Sequence, residues 1–343
     1  MSNFPDAPIT GPMVWRGEQF RGDDSWVHRM NADDIAELDA ALAAVRGAGC
    51  PKMGFAPADF PLGRLAEKLN AILAEVQDGR GFALLRGLPV ERYARDEIET
   101  VYWGIGSYLG TVISQNAMGD LIAEVTDKGS DYTHGVNDRG YMSNDKLNPH
   151  VDTSDMTALL CLRTAGTGGV SWLSSSAAIF NELRATRPDL LAIYDRGFHH
   201  DLRGEGPTGR MDEVTHNRIP VFSYHAGLLS CCYNDKIMRS AHAKMGDSLS
   251  PAESEAIDLL KSVAERPDMR FEFNMAPGDI QLINNYVLLH ARSEFRSDPD
   301  PAKRRCLLRM WMNCREPRPL AADFSERYNT GPRGGVFVRA KAS

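Results

Sequence analysis

Asn148-Pro149-His150-Val151-Asp152 is followed, three residues on, by the apolar run Met156-Thr157-Ala158-Leu159-Leu160-Cys161-Leu162. A short apolar run bounded by turn-forming residues is a buried strand, because a helix of useful length needs more residues and a longer period. Ahead of it lies a polar stretch, 127–149, containing Gly129, Gly135 and Gly140, which has the composition of a mobile loop delivering His150 to a site. His150 and Asp152 stand two apart at the junction of loop and strand. In extended chain, alternate side chains project to one side.

Working outward, the same short-period pattern recurs at 121–126, 156–162, 170–174, 197–202, 219–225, 227–233, 269–274, 279–284 and 305–313. Many short strands separated by Gly, Pro and Asn clusters predict a mainly β fold, a double-sheet jelly roll, and not alternating βαβ units. The first third reads differently. Asn31 or Asp33 opens a helix with Ile35, Leu38, Leu42 and Val45 on one face and Gly47 as its stop. Leu62, Leu65, Leu69, Ile72 and Val76 mark a second helix, and Ile98, Val101, Tyr102, Ile105 and Leu109 a third. Between the second and third, Gly81 to Gly87 encloses a buried strand. Two further helices interrupt the strands, one over 175–186 after a serine cluster and one after Ser250-Pro251-Ala252-Glu253, a capping box with Pro at the first helical position. The expected organisation is a single elaborated domain: residues 1–80 a mainly helical extension packed on one sheet, 81–315 the jelly-roll core, and 316–343 a tail.

Composition narrows the class. Of 343 residues, 43% are hydrophobic and 25% charged, an ordinary globular balance. A net charge of -7 provides no electrostatic footprint for nucleic acid. No stretch approaches the roughly 20 apolar residues that span a bilayer, and the N-terminus lacks the basic and apolar regions of a secretion signal. The six cysteines contain no C-x-x-C pair and mostly sit in apolar runs, so they read as reduced core residues of a cytoplasmic protein.

The chemistry rests on residues distant along the chain. His-x-Asp occurs twice, the second time as His199-His200-Asp201. Only the first adjoins a buried strand and has partners of suitable type downstream. His290 closes the apolar run Asn285-Tyr286-Val287-Leu288-Leu289, beyond the tight turn Ala276-Pro277-Gly278-Asp279; buried there, it needs a polar partner. Two imidazoles and a carboxylate can hold one face of Fe(II) and leave the other face open. Arg305 and Arg309 share one face of a strand whose other positions Cys306, Leu308, Met310 and Trp311 would fill. A buried guanidinium needs an anion, and a two-pronged grip on a carboxylate is its usual use. Ser171, after the Gly168-Gly169 turn, could complete such a clamp. The bland alternatives are a core histidine bonded to backbone and an arginine in a structural salt bridge.

In this order, His150-x-Asp152, Gly168-Gly169-x-Ser171, Gly278-Asp279, His290 and Arg305-x-x-x-Arg309 resemble the taurine dioxygenase family, with its 2,4-dichlorophenoxyacetate dioxygenase and clavaminate synthase-like branches. The resemblance spans Phe82 to Met312. It implies a double-stranded β-helix, Fe(II) as cofactor, and 2-oxoglutarate and O2 as co-substrates. It implies His150, Asp152 and His290 as iron ligands and Arg305 as the grip on the distal carboxylate of 2-oxoglutarate. Ser171 stands where the family commonly has threonine, and Arg309 resembles the second family arginine near the keto-acid end. Gln115 and Asn144 fall in loops that line the pocket in relatives and are candidates for substrate contact. Related halogenases carry a small residue at the carboxylate position, so Asp152 favours oxidation of a small-molecule substrate, foremost hydroxylation. Relatives often form dimers or tetramers.

Two other classes use the same residues. A cupin-like hydrolase or isomerase would use the His/Asp/His set with zinc and have no need of Arg305. A non-catalytic jelly-roll binding protein would keep its ligand after loss of His150.

Overall fold

Asn31 starts the first helix by accepting the backbone N–H of Asp34, while the Asp34 carboxylate accepts from the Asn31 N–H. Ser250 and Glu253 repeat this reciprocal cap, and Ser175 caps a third helix by accepting the Ala178 N–H. A computed structural model describes residues 4–130, 139–325 and 335–338. Its strands are β1 (Val27–Arg29), β2 (Phe82–Arg86), β3 (Thr111–Ile113), β4 (Ile122–Thr126), β5 (Leu147–His150), β6 (Met156–Arg163), β7 (Ser171–Ser175), β8 (Phe222–His225), β9 (Leu228–Cys231), β10 (Arg270–Phe273), β11 (Ile280–Asn284), β12 (Leu288–Arg292) and β13 (Cys306–Asn313). The helices are α1 (Ala32–Gly47), α2 (Arg64–Asp78), α3 (Arg95–Leu109), α4 (Ser176–Thr186), α5 (Leu191–Arg196), α6 (Asp235–Met245), α7 (Pro251–Glu265) and α8 (Ala322–Ser325).

The strands form a seven-stranded sheet, β1-β2-β11-β6-β13-β3 with β4 also on β13, and a four-stranded sheet, β10-β7-β12-β5. The expected jelly-roll layering is thus present. Strand alternation explains the layers. Leu308, Met310 and Met312 of β13, Ala158 and Leu160 of β6 and Ile280 and Leu282 of β11 point outward and pack with Leu38, Leu69, Ile72 and Val101 of α1, α2 and α3. The intervening residues Leu159, Gln281, Leu307, Arg309 and Trp311 line a cavity on the other face. On the smaller sheet, Leu173, Leu288 and Leu289 pack into a second cluster with Ile179 and Phe180 of α4 and Ile257 and Leu260 of α7.

Several expectations change. Segment 197–202 is not a strand; it makes only the isolated bridges Phe198–Ile219 and Asp201–Val214. The region after residue 175 holds α5 and α6 besides the two predicted helices. Both are short, and their few apolar positions do not build a long period. Strands β1, β3, β5 and β12 escaped the pattern because three or four polar-flanked residues carry no alternation, and β12 merges into the apolar run before His290. β1 pairs in parallel with β2, so the N-terminal region contributes a strand to the large sheet as well as helices. Part of the loop at 127–149 lies outside the described residues.

Candidate active site

Strand register makes the site. In the pairing of β12 with β5, His290 lies directly opposite His150, and their ring centroids are 4.2 Å apart. Asp152 follows β5 by two residues and reaches the same point: its Oδ1 is 4.0 Å from His150 Nε2 and its Oδ2 3.8 Å from His290 Nε2. Among the described residues these three form the group of His, Cys, Asp and Glu side chains that could hold a metal ion. His150 Nδ1–H donates to the Asn148 carbonyl at 2.8 Å, which leaves Nε2 as the free lone pair. Burial, with the neighbouring His150, pushes the His290 pKa down to about 3, so the imidazole is neutral and able to ligate. Burial opposes ionisation of Asp152, but Arg309, His290 and His150 together overcome it and hold the carboxyl below its ordinary value.

The carboxylate is fixed from behind. Trp311 Nε1 and Thr157 Oγ1 each donate to Asp152 Oδ2 at 2.9 Å. Asn285 Nδ2 donates to Thr157 Oγ1 at 3.0 Å, and Asn285 Oδ1 accepts the Asp152 backbone N–H. Arg309 lies 3.7 Å from Asp152 Oδ1, its guanidinium 4.6 Å from the Trp311 ring centroid and 4.8 Å from that of Tyr141. Gln115, expected to touch substrate, accepts from Arg309 Nε and donates to the carbonyls of Arg309 and Leu121. Its amide is fully engaged in holding Arg309. Asn144 lines a separate surface depression with Thr167, Ser293 and Phe295 and does not line the central cavity.

Arg305 enters the cavity just before β13. It is 7% exposed, makes no ion pair with a described residue, and its Nη1 has no hydrogen-bond partner. Burial lowers its pKa to about 10, which still leaves it cationic at neutral pH. The salt-bridge alternative therefore fails for this residue. Its arm passes Gly169, where φ is +73° and a Cβ would stand 3.2 Å from Arg305 Nε. Ser171 and Arg305 both line the cavity that contains His150, Asp152 and His290.

Sequence reasoning placed Trp311 among residues turned away from the arginines. Residues 305, 307, 309 and 311 alternate on one face, so the indole points inward with them. Thr157, Gln281, Arg139, Arg203 and Glu205 were also missed. Arg139 pairs with Glu205 at 2.9 Å, and both line the cavity with Arg203. They lie in irregular segments where no period marks an inward face. Arg292 is turned to the loop before β5, donating to the carbonyls of Ser143 and Asp145. The second His-x-Asp triplet is structural: Asp201 accepts from Ser240, Lys244 and the Arg203 N–H, and His199 bonds the Thr215 carbonyl.

Residues 46–311 match the family model described as "Taurine catabolism dioxygenase TauD, TfdA family". The FR-33289 synthase of Streptomyces rubellomurinus is 32% identical over 337 residues, covering 97% of both chains. The taurine hydroxylase-like protein SAT17 of Stachybotrys chartarum is 32% identical over 314 residues, covering 88% of this chain and 79% of its own. Among solved structures, an asparagine oxygenase complex with Fe(II), hydroxyasparagine and succinate superposes with a TM-score of 0.66 at 15% identity, covering 84% of this chain and 93% of that one. The non-heme iron oxygenase OrfP with iron and α-ketoglutaric acid gives 0.61 at 13% identity, covering 90% and 99%. The solved structures show the shared fold. The chain belongs to the TauD/TfdA dioxygenase family, and it is an oxidoreductase of the class that uses iron and 2-oxoglutarate.

Proposed function

We propose that the chain hydroxylates an aliphatic C–H bond of a small organic molecule, converting substrate, 2-oxoglutarate and O2 to hydroxylated product, succinate and CO2. The observation that carries this reading is the buried, unpaired guanidinium of Arg305 in the same cavity as His150, Asp152 and His290. A zinc hydrolase has no need of that cation, and a simple binding protein has no need of the metal-ligating group beside it. The donor set suits Fe(II): two imidazole nitrogens and one carboxylate on one side, with the cavity on the other. Iron bound there supplies the redox chemistry that activates O2.

The chain's own residues do the rest. His150, Asp152 and His290 ligate the metal; Trp311 and Thr157 stop the Asp152 carboxylate from rotating. Arg305, with Ser171, holds the distal carboxylate of 2-oxoglutarate, and Arg309 flanks its inner end. Orienting the co-substrate and keeping bulk water from the reacting atoms are what these contacts contribute. Arg139, Arg203 and Glu205 face the side from which substrate enters.

The test is succinate formation from 2-oxoglutarate under air with Fe(II) and ascorbate. Turnover that persists with Zn(II) alone, or without O2, would replace this reading with the hydrolase. A cytoplasmic setting is supported by the lack of a C-x-x-C pair among the six cysteines, four of which are buried. Residues 1–343 are proposed as one domain, without a nucleic-acid partner given the charge of -7, and as a homo-oligomer whose size light scattering would measure.

A further inference from the structure

Gln281 stands where an apolar residue would be expected. It lies on β11, in a cross-strand row with Leu84 of β2 and Leu159 of β6, while its neighbours Ile280 and Leu282 point outward into the helical layer. It is 3% exposed and lines the central cavity. Its amide oxygen is sealed from solvent without a hydrogen-bond partner, and its side chain bonds no described residue. A leucine would avoid the desolvation penalty of the sealed oxygen, and with that oxygen turned from solvent the amide N–H is the end left for a partner inside the cavity.

The register says where along the cavity that partner lies. One row in one direction, Ile283, Thr157 and Trp311 align across three strands, beside Asp152. One row in the other direction, Leu307 lies opposite Cys161, and Arg305 sits next to Cys161 and Cys306. Gln281 therefore occupies the row between the metal carboxylate and the buried guanidinium, the span that a bound 2-oxoglutarate must cross. Rotation about the last side-chain bond presents either end of the amide to the cavity, and only the N–H end suits a carboxylate. A neutral donor adds a hydrogen bond to the anion without placing a second positive charge beside Arg305.

We propose that Gln281 is a co-substrate contact, donating its side-chain N–H to the carboxylate of 2-oxoglutarate that Arg305 holds. This rests on the reading of the cavity given above and adds a residue to it.

The experiment is an anaerobic titration of the Co(II)-loaded protein with 2-oxoglutarate, followed by calorimetry, for wild type, Q281L, Q281E and R305A. Q281L should raise the dissociation constant about tenfold, the scale of one hydrogen bond to a charged group. Its Co(II) affinity should not change, and its melting temperature without co-substrate should equal or exceed that of wild type, because an unpaired polar group has been removed. Q281E should bind 2-oxoglutarate more weakly than Q281L, since it adds a second carboxylate. Pyruvate, which lacks the distal carboxylate, should bind wild type and Q281L alike. A Q281L protein of lower melting temperature but unchanged 2-oxoglutarate affinity overturns the proposal in favour of a packing role. An equal loss for pyruvate overturns it too, by moving the contact to the other end. If R305A also leaves the affinity unchanged, it is the assignment of the cavity itself that fails.

Discussion

Trp311 donates its indole N–H to Asp152 Oδ2 at 2.9 Å, so a residue of the large sheet sets the angle of a carboxylate carried beside the small one. Thr157 donates to the same oxygen from the neighbouring strand. Together they fix the carboxylate with Oδ1 4.0 Å from His150 Nε2 and Oδ2 3.8 Å from His290 Nε2. Removing one such support from a ligating carboxylate typically costs about tenfold to a hundredfold in metal affinity. Trp311→Phe should weaken Fe(II) or Co(II) binding by about tenfold while the fold persists. Metal titration followed by calorimetry checks it; unchanged affinity would mean that Thr157 alone orients the carboxylate.

Loss of a ligand should be more severe. Asp152→Ala removes the only carboxylate in the triad and takes away the counter-charge 3.7 Å from Arg309. Iron-dependent succinate release should vanish. Retention of even a tenth of the wild-type rate would place the metal elsewhere.

Arg305→Ala should act on the co-substrate. Truncating one partner of a buried, hydrogen-bonded charge pair costs about 2–5 kcal/mol. The apparent requirement for 2-oxoglutarate should rise by about two orders of magnitude, with a smaller effect on the rate at saturation. Steady-state succinate assays across a wide 2-oxoglutarate range measure both quantities.

Acid stability should depend on His242. The imidazole is buried on α6, its nitrogens have no hydrogen-bond partner, and burial, with Arg218 nearby, lowers its pKa below the ordinary value of 6.5. With the folded pKa depressed, the unfolded chain binds more protons as the pH falls below about 6.5, so stability is lost on the acid side and retained above it. Replacing His242 with Phe removes that linkage. Melting temperatures between pH 7.5 and 5 should fall less steeply in H242F than in wild type.

Much of this was legible from residue order. The helices with strong caps at Asn31, Ser175 and Ser250 start where the capping signals stand, because those signals are local. The set His150, Asp152 and His290 was readable for a different reason: in order with Arg305 and Arg309 it resembles the taurine dioxygenase pattern. What could not be read was register. Nothing local says that His290 faces His150 across a strand pair, or that the Trp311 indole turns inward to the carboxylate. Arg139 and Glu205 sit in irregular chain, where tertiary contact alone decides which side faces the cavity.

Arg292 holds the approach to β5 through the carbonyls of Ser143 and Asp145, and those oxygens are the same whatever residue supplies them. The tether is indifferent to side-chain identity in the loop it secures. Mutational drift there could retune which molecules are admitted while the iron centre stays in register, a route by which one scaffold acquires new substrates.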